Sequence, residues 1–204
     1  MISKKLLKSL GIPTLVMYLL LAVVAIVKMP ISTLLSDPLP QNIVKNYEYS
    51  IPQGADADQY DLALVTHVSD GDTIEINDQD TIRLLGIDTP ELEHKALNIK
   101  LECFGKDAET RMKQLVLGKV VYLSKESRNK DKYGRLLRNI FVPLENKKDK
   151  MLFVNGYMVG EGFARAYILE KNAVYKDELN NYQATAKENK KGLWGSCDRE
   201  RFRW

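Results

Sequence analysis

Three short stretches hold residue types suited to handling phosphate. In Asp70-Gly71-Asp72-Thr73 two carboxylates flank a glycine, which permits a tight turn that aims both side chains one way. Hard cations such as calcium and magnesium take several oxygen ligands, so such a pair can begin a site for one. In Arg83-Leu-Leu-Gly-Ile-Asp88-Thr89-Pro90-Glu91 an arginine sits within an apolar run that leads to two acids. Arg83 and Asp88 are an odd number of residues apart, so an unbroken strand would send them to opposite faces. A bulge or the strand end, with Gly86 as the natural place, is needed to bring them together. Pro90 fixes the following loop and can aim Glu91 back toward the other acids. In Lys130-Asp-Lys132-Tyr133-Gly-Arg135 a guanidinium neighbours an aromatic ring, a combination that suits phosphate beside a base or sugar. Taken singly, the three also read as a plain turn, a structural ion pair and a solvated loop.

The elements that must position these residues follow from periodicity. Leu62 to Val68 is strand-like, Thr73 to Asn77 alternates, and Thr81 to Ile87 is apolar around Arg83. Asp78-Gln-Asp80 predicts a hairpin between the second and third. Asp107 to Leu117 carries Ala108, Met112, Leu115 and Val116 at helical spacing and stops at Gly118. Val120 to Ser124 and Leu136 to Val142 predict two more strands. Met151 to Gly162 predicts a short helix after a charged loop, and Tyr175 to Lys190 a polar one. Five strands and three helices in the order β-β-β-α-β-β-α-α give an α+β, mainly β chain that suits a small OB-fold barrel.

The order of the three stretches on such a barrel resembles the staphylococcal nuclease (thermonuclease) family over roughly residues 62–197. The resemblance continues through Asn155-Gly-Tyr-Met-Val, Phe163-Ala-Arg-Ala-Tyr167 and Gly192-Leu-Trp194-Gly. It implies one calcium ion held by Asp72, Asp88 and the main-chain carbonyl of Thr89, with Asp70 acting nearby through water. It implies that Glu91 serves as general base or positions the attacking water, and that Arg83 and Arg135 clamp the scissile phosphate. Lys132, Tyr133 and Tyr167 match positions that contact nucleotide. The implied reaction is hydrolysis of phosphodiester bonds in DNA and RNA, leaving 3′-phosphates with little sequence preference, by a monomer. Two stretches depart from the family pattern. Leu92 to Glu102 matches poorly, and Ile168-Leu-Glu follows Tyr167 where a second aromatic is common, so base stacking is expected to be weaker. A catalytically silent OB-fold module that only binds nucleic acid is the alternative.

Global charge adds little. The formal charge is +3, but Lys4, Lys5, Lys8 and Lys28 are the only charged residues of 1–28, which leaves −1 for residues 29–204. Affinity for phosphate must therefore come from local placement of charge. The uncharged run Leu10 to Val27 behind N-terminal lysines reads as a signal peptide or transmembrane anchor over 1–28. Residues 29–60, with Pro30, Pro38, Pro40 and Pro52, read as a linker, 61–198 as the thermonuclease-like domain, and 199–204 as a tail. The domain is thus expected to be exported, anchored to the membrane or secreted if the segment is cut. Cys103 and Cys197, the only cysteines, cannot make a zinc knuckle but can form one disulfide in an oxidising compartment.

Overall fold

The computed structural model describes residues 44–51, 59–145, 147–171 and 173–198. The expected signal or anchor segment and the C-terminal tail 199–204 lie outside the described residues. Among the described residues no helix is long and apolar enough to cross a membrane.

β-branched and apolar residues alternate through β2 (Tyr60–Val68), β3 (Thr73–Ile76) and β4 (Asp80–Leu84). Val65, Ile74, Ile82 and Leu84 turn into the core, each no more than 1% exposed. β6 (Val120–Ser124) and β7 (Leu136–Leu144) complete the main sheet. Neighbouring pairs run β2–β3, β3–β4, β4–β7, β7–β6 and β6–β2, so the pairing returns to its starting strand. Only β4–β7 is parallel. A closed circuit leaves these five strands no open edge.

Helix α1 (Gly105–Val116) buries Ala108, Met112, Leu115 and Val116, the face its spacing predicts. The chain then departs from the sequence reading. Met151 does not begin a helix: β8 (Lys147–Phe153) pairs antiparallel with β7, and α2 (Val154–Gly160) starts only afterwards. Met151 to Val154 is buried on all sides, and such a run carries no periodicity to separate strand from helix. Lys147 to Lys150, expected as loop, form the polar outer part of that strand.

Two further strands are too short to show a pattern. β5 (Ile87–Asp88) and β9 (Arg165–Ala166) pair as a separate two-stranded sheet. α3 (Lys176–Glu188) and α4 (Leu193–Ser196) close the domain. A disulfide joins Cys103, just before α1, to Cys197, just after α4, across a sequence separation of 94. A staple over so long a loop removes about 4.7 kcal/mol of unfolded-chain freedom in the entropic account.

The segment 29–60, read as a linker with room for a short strand or helix, holds ordered structure at its described residues 44–51. Lys45–Tyr47 form a 3-10 turn and β1 (Glu48–Ser50) pairs antiparallel with β8, so residues 44–51 belong to the folded unit. Val44 and Tyr47 are 2% and 3% exposed. A strand of three residues, with Pro38, Pro40 and Pro52 on either side, is too short to show a period.

Candidate active site

The two acid-bearing stretches meet because β3 and β4 are paired. Thr73 stands opposite Arg83, and the Leu84 amide donates to the Asp72 carbonyl at 2.9 Å. Asp70 accepts the Asp72 amide at 2.9 Å, which makes the turn. Gly71 is required there by proximity: a Cβ on it would lie 2.8 Å from the Ala108 Cβ of α1 and 2.8 Å from Thr89 Cγ2.

The odd spacing of Arg83 and Asp88 is resolved by the break at Leu85-Gly86. Gly86 has φ +70, a conformation that favours glycine. The chain folds around the Arg83 guanidinium, whose Nη1 donates to the carbonyls of Leu84 at 3.0 Å and Ile87 at 2.9 Å. Its Nη2 lies 2.9 Å from Asp88 Oδ1 and 3.2 Å from Asp72 Oδ2. The amide and hydroxyl of Thr89 donate to the same Asp72 oxygen at 2.8 and 3.0 Å. The other Asp88 oxygen accepts Nε and Nη2 of Arg165 at 3.1 and 2.9 Å. Arg165 stands directly across from Asp88 in the β5–β9 pair.

Asp72, Asp88 and Glu91 hold protons more tightly than usual. Burial pushes the Asp72 carboxyl up to about 6; Arg83 opposes this and Asp70 adds to it. Burial likewise raises Asp88 against the pull of Arg165. Glu91 reaches solvent on one side, yet desolvation of the side toward the cluster raises it, with Asp72, Asp88 and Glu102 adding to the shift. Glu102 also pins the Glu91 backbone: its carboxylate accepts the Glu91 amide at 3.0 Å, and its amide donates to the Glu91 carbonyl at 2.9 Å.

The third stretch is organised by Asp131. One of its oxygens accepts the amides of Tyr133 and Arg135 at 2.9 and 3.0 Å, and the other accepts Arg135 Nε at 2.7 Å. Burial works against these bonds, but they win and hold the Asp131 carboxyl below its ordinary value. Lys132 Nζ and Arg135 Cζ lie 4.9 and 5.5 Å from the centre of the Tyr133 ring.

A cavity of about 270 Å³ separates the two regions. Arg83, Lys132, Tyr133, Arg135, Tyr167 and Tyr175 all line it. Asp70, Asp72, Asp88, Thr89 and Glu91 are not among its lining residues; Asp72 and Asp88 are joined to it through Arg83. Tyr133 is 72% exposed and Tyr167 43%, so both rings are open to a ligand. Sequence reasoning missed Arg165, Glu102 and Tyr175. Arg165 lay within the quoted stretch Phe163-Ala-Arg-Ala-Tyr167 and Tyr175 opened the expected polar helix, but neither was singled out as a site residue.

The oxygens fit a hard cation in one respect. Asp72 is a buried and Asp88 a half-buried carboxylate, both bonded to the same Arg83 Nη2, so each offers one oxygen to a shared positive charge, and burial leaves their negative charge poorly solvated. Among the described residues no group of three or more His, Cys, Asp or Glu gathers as a metal site, so main-chain or water oxygens would have to complete the shell.

Residues 81–196 match the family model described as staphylococcal nuclease homologue. The SPbeta prophage-derived endonuclease YokF of Bacillus subtilis is 37% identical over 130 residues, covering 61% of this chain and 41% of that protein. Endonuclease YncB of Bacillus subtilis is 36% identical over 130 residues, covering 61% of this chain and 57% of that protein. The chain thus spans about half the length of these two relatives. The thermonuclease of Staphylococcus hyicus is 30% identical over 135 residues, covering 65% of this chain and 75% of that protein.

Proposed function

The chain belongs to the staphylococcal nuclease family, and on that premise we propose that it hydrolyses phosphodiester bonds in DNA and RNA with calcium, leaving 3′-phosphates. The observation that carries the reading is one cavity lined by both Arg83 and Arg135, with Asp72 and Asp88 bonded to the Arg83 guanidinium. The five-strand pairing circuit supports an OB-type barrel as the scaffold.

In this reading a phosphodiester enters between the two guanidiniums, which stabilise the charge that builds on its oxygens during attack. Asp72, Asp88 and the Thr89 carbonyl would hold the calcium, and Asp70 would shape the turn and act through water. Bound calcium supplies Lewis-acid stabilisation of the phosphate. Glu91 takes the proton of the attacking water or orients that water; its raised pKa suits proton transfer. Lys132 and Tyr133 meet phosphate, and Tyr167 a sugar or base. Contacts that fall mainly on phosphates read sequence weakly. We further propose that the domain works as a monomer outside the cytoplasm, tethered by residues 1–28 or released when they are cut. The disulfide supports an oxidising compartment.

The test is cleavage of single-stranded DNA by the full chain, with calcium or with a chelator. Calcium-dependent cleavage is expected, and Glu91→Ala should slow it by about 10²- to 10⁴-fold without loss of fold. A Glu91→Ala variant as fast as the wild type would sink the mechanism. Binding without cleavage under any divalent metal would favour the silent module, although the retained acids and arginines speak against it.

A further inference from the structure

Residues 44–51 precede the family match, which begins at residue 81, yet they are built into the structure behind the cavity. Tyr47 is buried and donates to Glu161 at 2.7 Å. Tyr49 stands edge-on to Phe141, Phe153 and Tyr175, with ring centres 5.4, 5.5 and 6.1 Å away. Such edge contacts between aromatics are favourable and directional. The Tyr49 hydroxyl donates to one oxygen of Glu178, and the Tyr182 hydroxyl lies 2.6 Å from the other.

Phe141 and Phe153 belong to β7 and β8, while Tyr175 and Glu178 belong to the start of α3. Tyr175 is its cap, Glu178 is in its first turn, and Tyr175, Lys176 and Leu179 line the cavity. From there the contacts reach the acids. Leu179 packs so closely on the Gly86 turn that a Cβ on Gly86 would lie 2.5 Å from its Cδ1. Gln183 accepts the Ala166 amide of β9 at 3.0 Å, next to the residue that grips Asp88.

We propose that Tyr49 is a positioning residue for the nucleotide cavity, holding Tyr175 and the first turn of α3 against the Gly86 turn. The proposal rests on the nuclease reading for its ligand, a nucleotide segment of the substrate. It gives a role to a strap that pairs with β8 and buries Val44 and Tyr47. It also means that a fragment begun at residue 61 would lack part of the cavity's support.

The experiment compares the full chain with Tyr49→Ala, Tyr49→Phe and Met112→Ala, the last in the α1 core and away from the cavity. KM and kcat are measured on a single-stranded DNA oligonucleotide, and amide exchange is followed through 176–183. Tyr49→Ala is expected to raise KM about tenfold with kcat within about twofold, the mark of lost uniform binding. Tyr49→Phe keeps the ring contacts and should raise KM about threefold, with faster exchange in the first turn of α3. Met112→Ala should leave KM in place while lowering stability. An unchanged KM in Tyr49→Ala overturns the proposal, as does an equal rise in Met112→Ala, which would mark general loosening. Should Tyr49→Ala fail to fold, Tyr49→Phe decides by the same criterion. If the wild-type chain cleaves nothing, the nuclease reading fails on its own, and unchanged α3 exchange in Tyr49→Phe then overturns this proposal separately.

Discussion

Asp72 and Asp131 each hold an arginine of the same cavity, Arg83 at 3.2 Å and Arg135 at 2.7 Å, but their environments push them in opposite directions. Asp72 is buried among other acids, and its proton is held up to about 6. Asp131 sits in a surface turn where two amides and a guanidinium favour its charged form, so its proton leaves early. The pairing of acid with arginine is common to both; burial and neighbouring charge decide what the pair does. One pair is part of the domain's interior, and the other is a local device that shapes a loop.

The sharpest way to break this contrast is Arg83→Ala. Its guanidinium serves two carboxylates and two carbonyls, so its removal leaves buried charge and polar groups without a partner. Loss of about 3 kcal/mol of stability is expected in urea titration, with cleavage slower by at least about 10³-fold. Arg135→Ala should cut cleavage by about 10²- to 10³-fold, while stability shifts by about 0.5 kcal/mol or less, as for a pair near the surface. If both variants lose equal stability, the two pairs do not differ as described.

The next effect is in pH. A carboxyl whose folded pKa is raised stabilises the fold while protonated: the contribution is full below the ordinary value of 3.8 and is lost as pH rises through about 6. In chelator, urea midpoints should therefore show a term from Asp72 that falls across that window by at most about 3 kcal/mol, and Asp72→Asn should remove it. Asp131 runs the other way. Its contribution is present above the ordinary carboxylate value and is lost as pH falls through its lowered one. The smallest change is expected for Asp131→Asn, about tenfold in cleavage through looser placement of Arg135, measured as initial rate at fixed calcium.

Much of this was legible in the chain. Periodicity located β2, β3, α1 and β6 within a residue or two, because each has one buried face. The stretches that carry Arg83 and Arg135 could be read from residue type and spacing, and the need for a break near Gly86 followed from strand parity, but the role of Asp131 in holding Arg135 was not read. The hairpin of β7 and β8 was not legible, since Met151 to Val154 is buried all round and its polar neighbours look like loop.

By itself, then, the sequence determined which residues are available for phosphate chemistry and in what order they come, because that information is local. Tertiary structure alone decided that Arg165 faces Asp88, 77 residues away in sequence. It also decided that Tyr49 reaches Glu178, 129 residues away, and that Tyr175 joins the cavity wall. Such contacts depend on how distant strands register and how a helix docks across them, and no spacing within one segment encodes that.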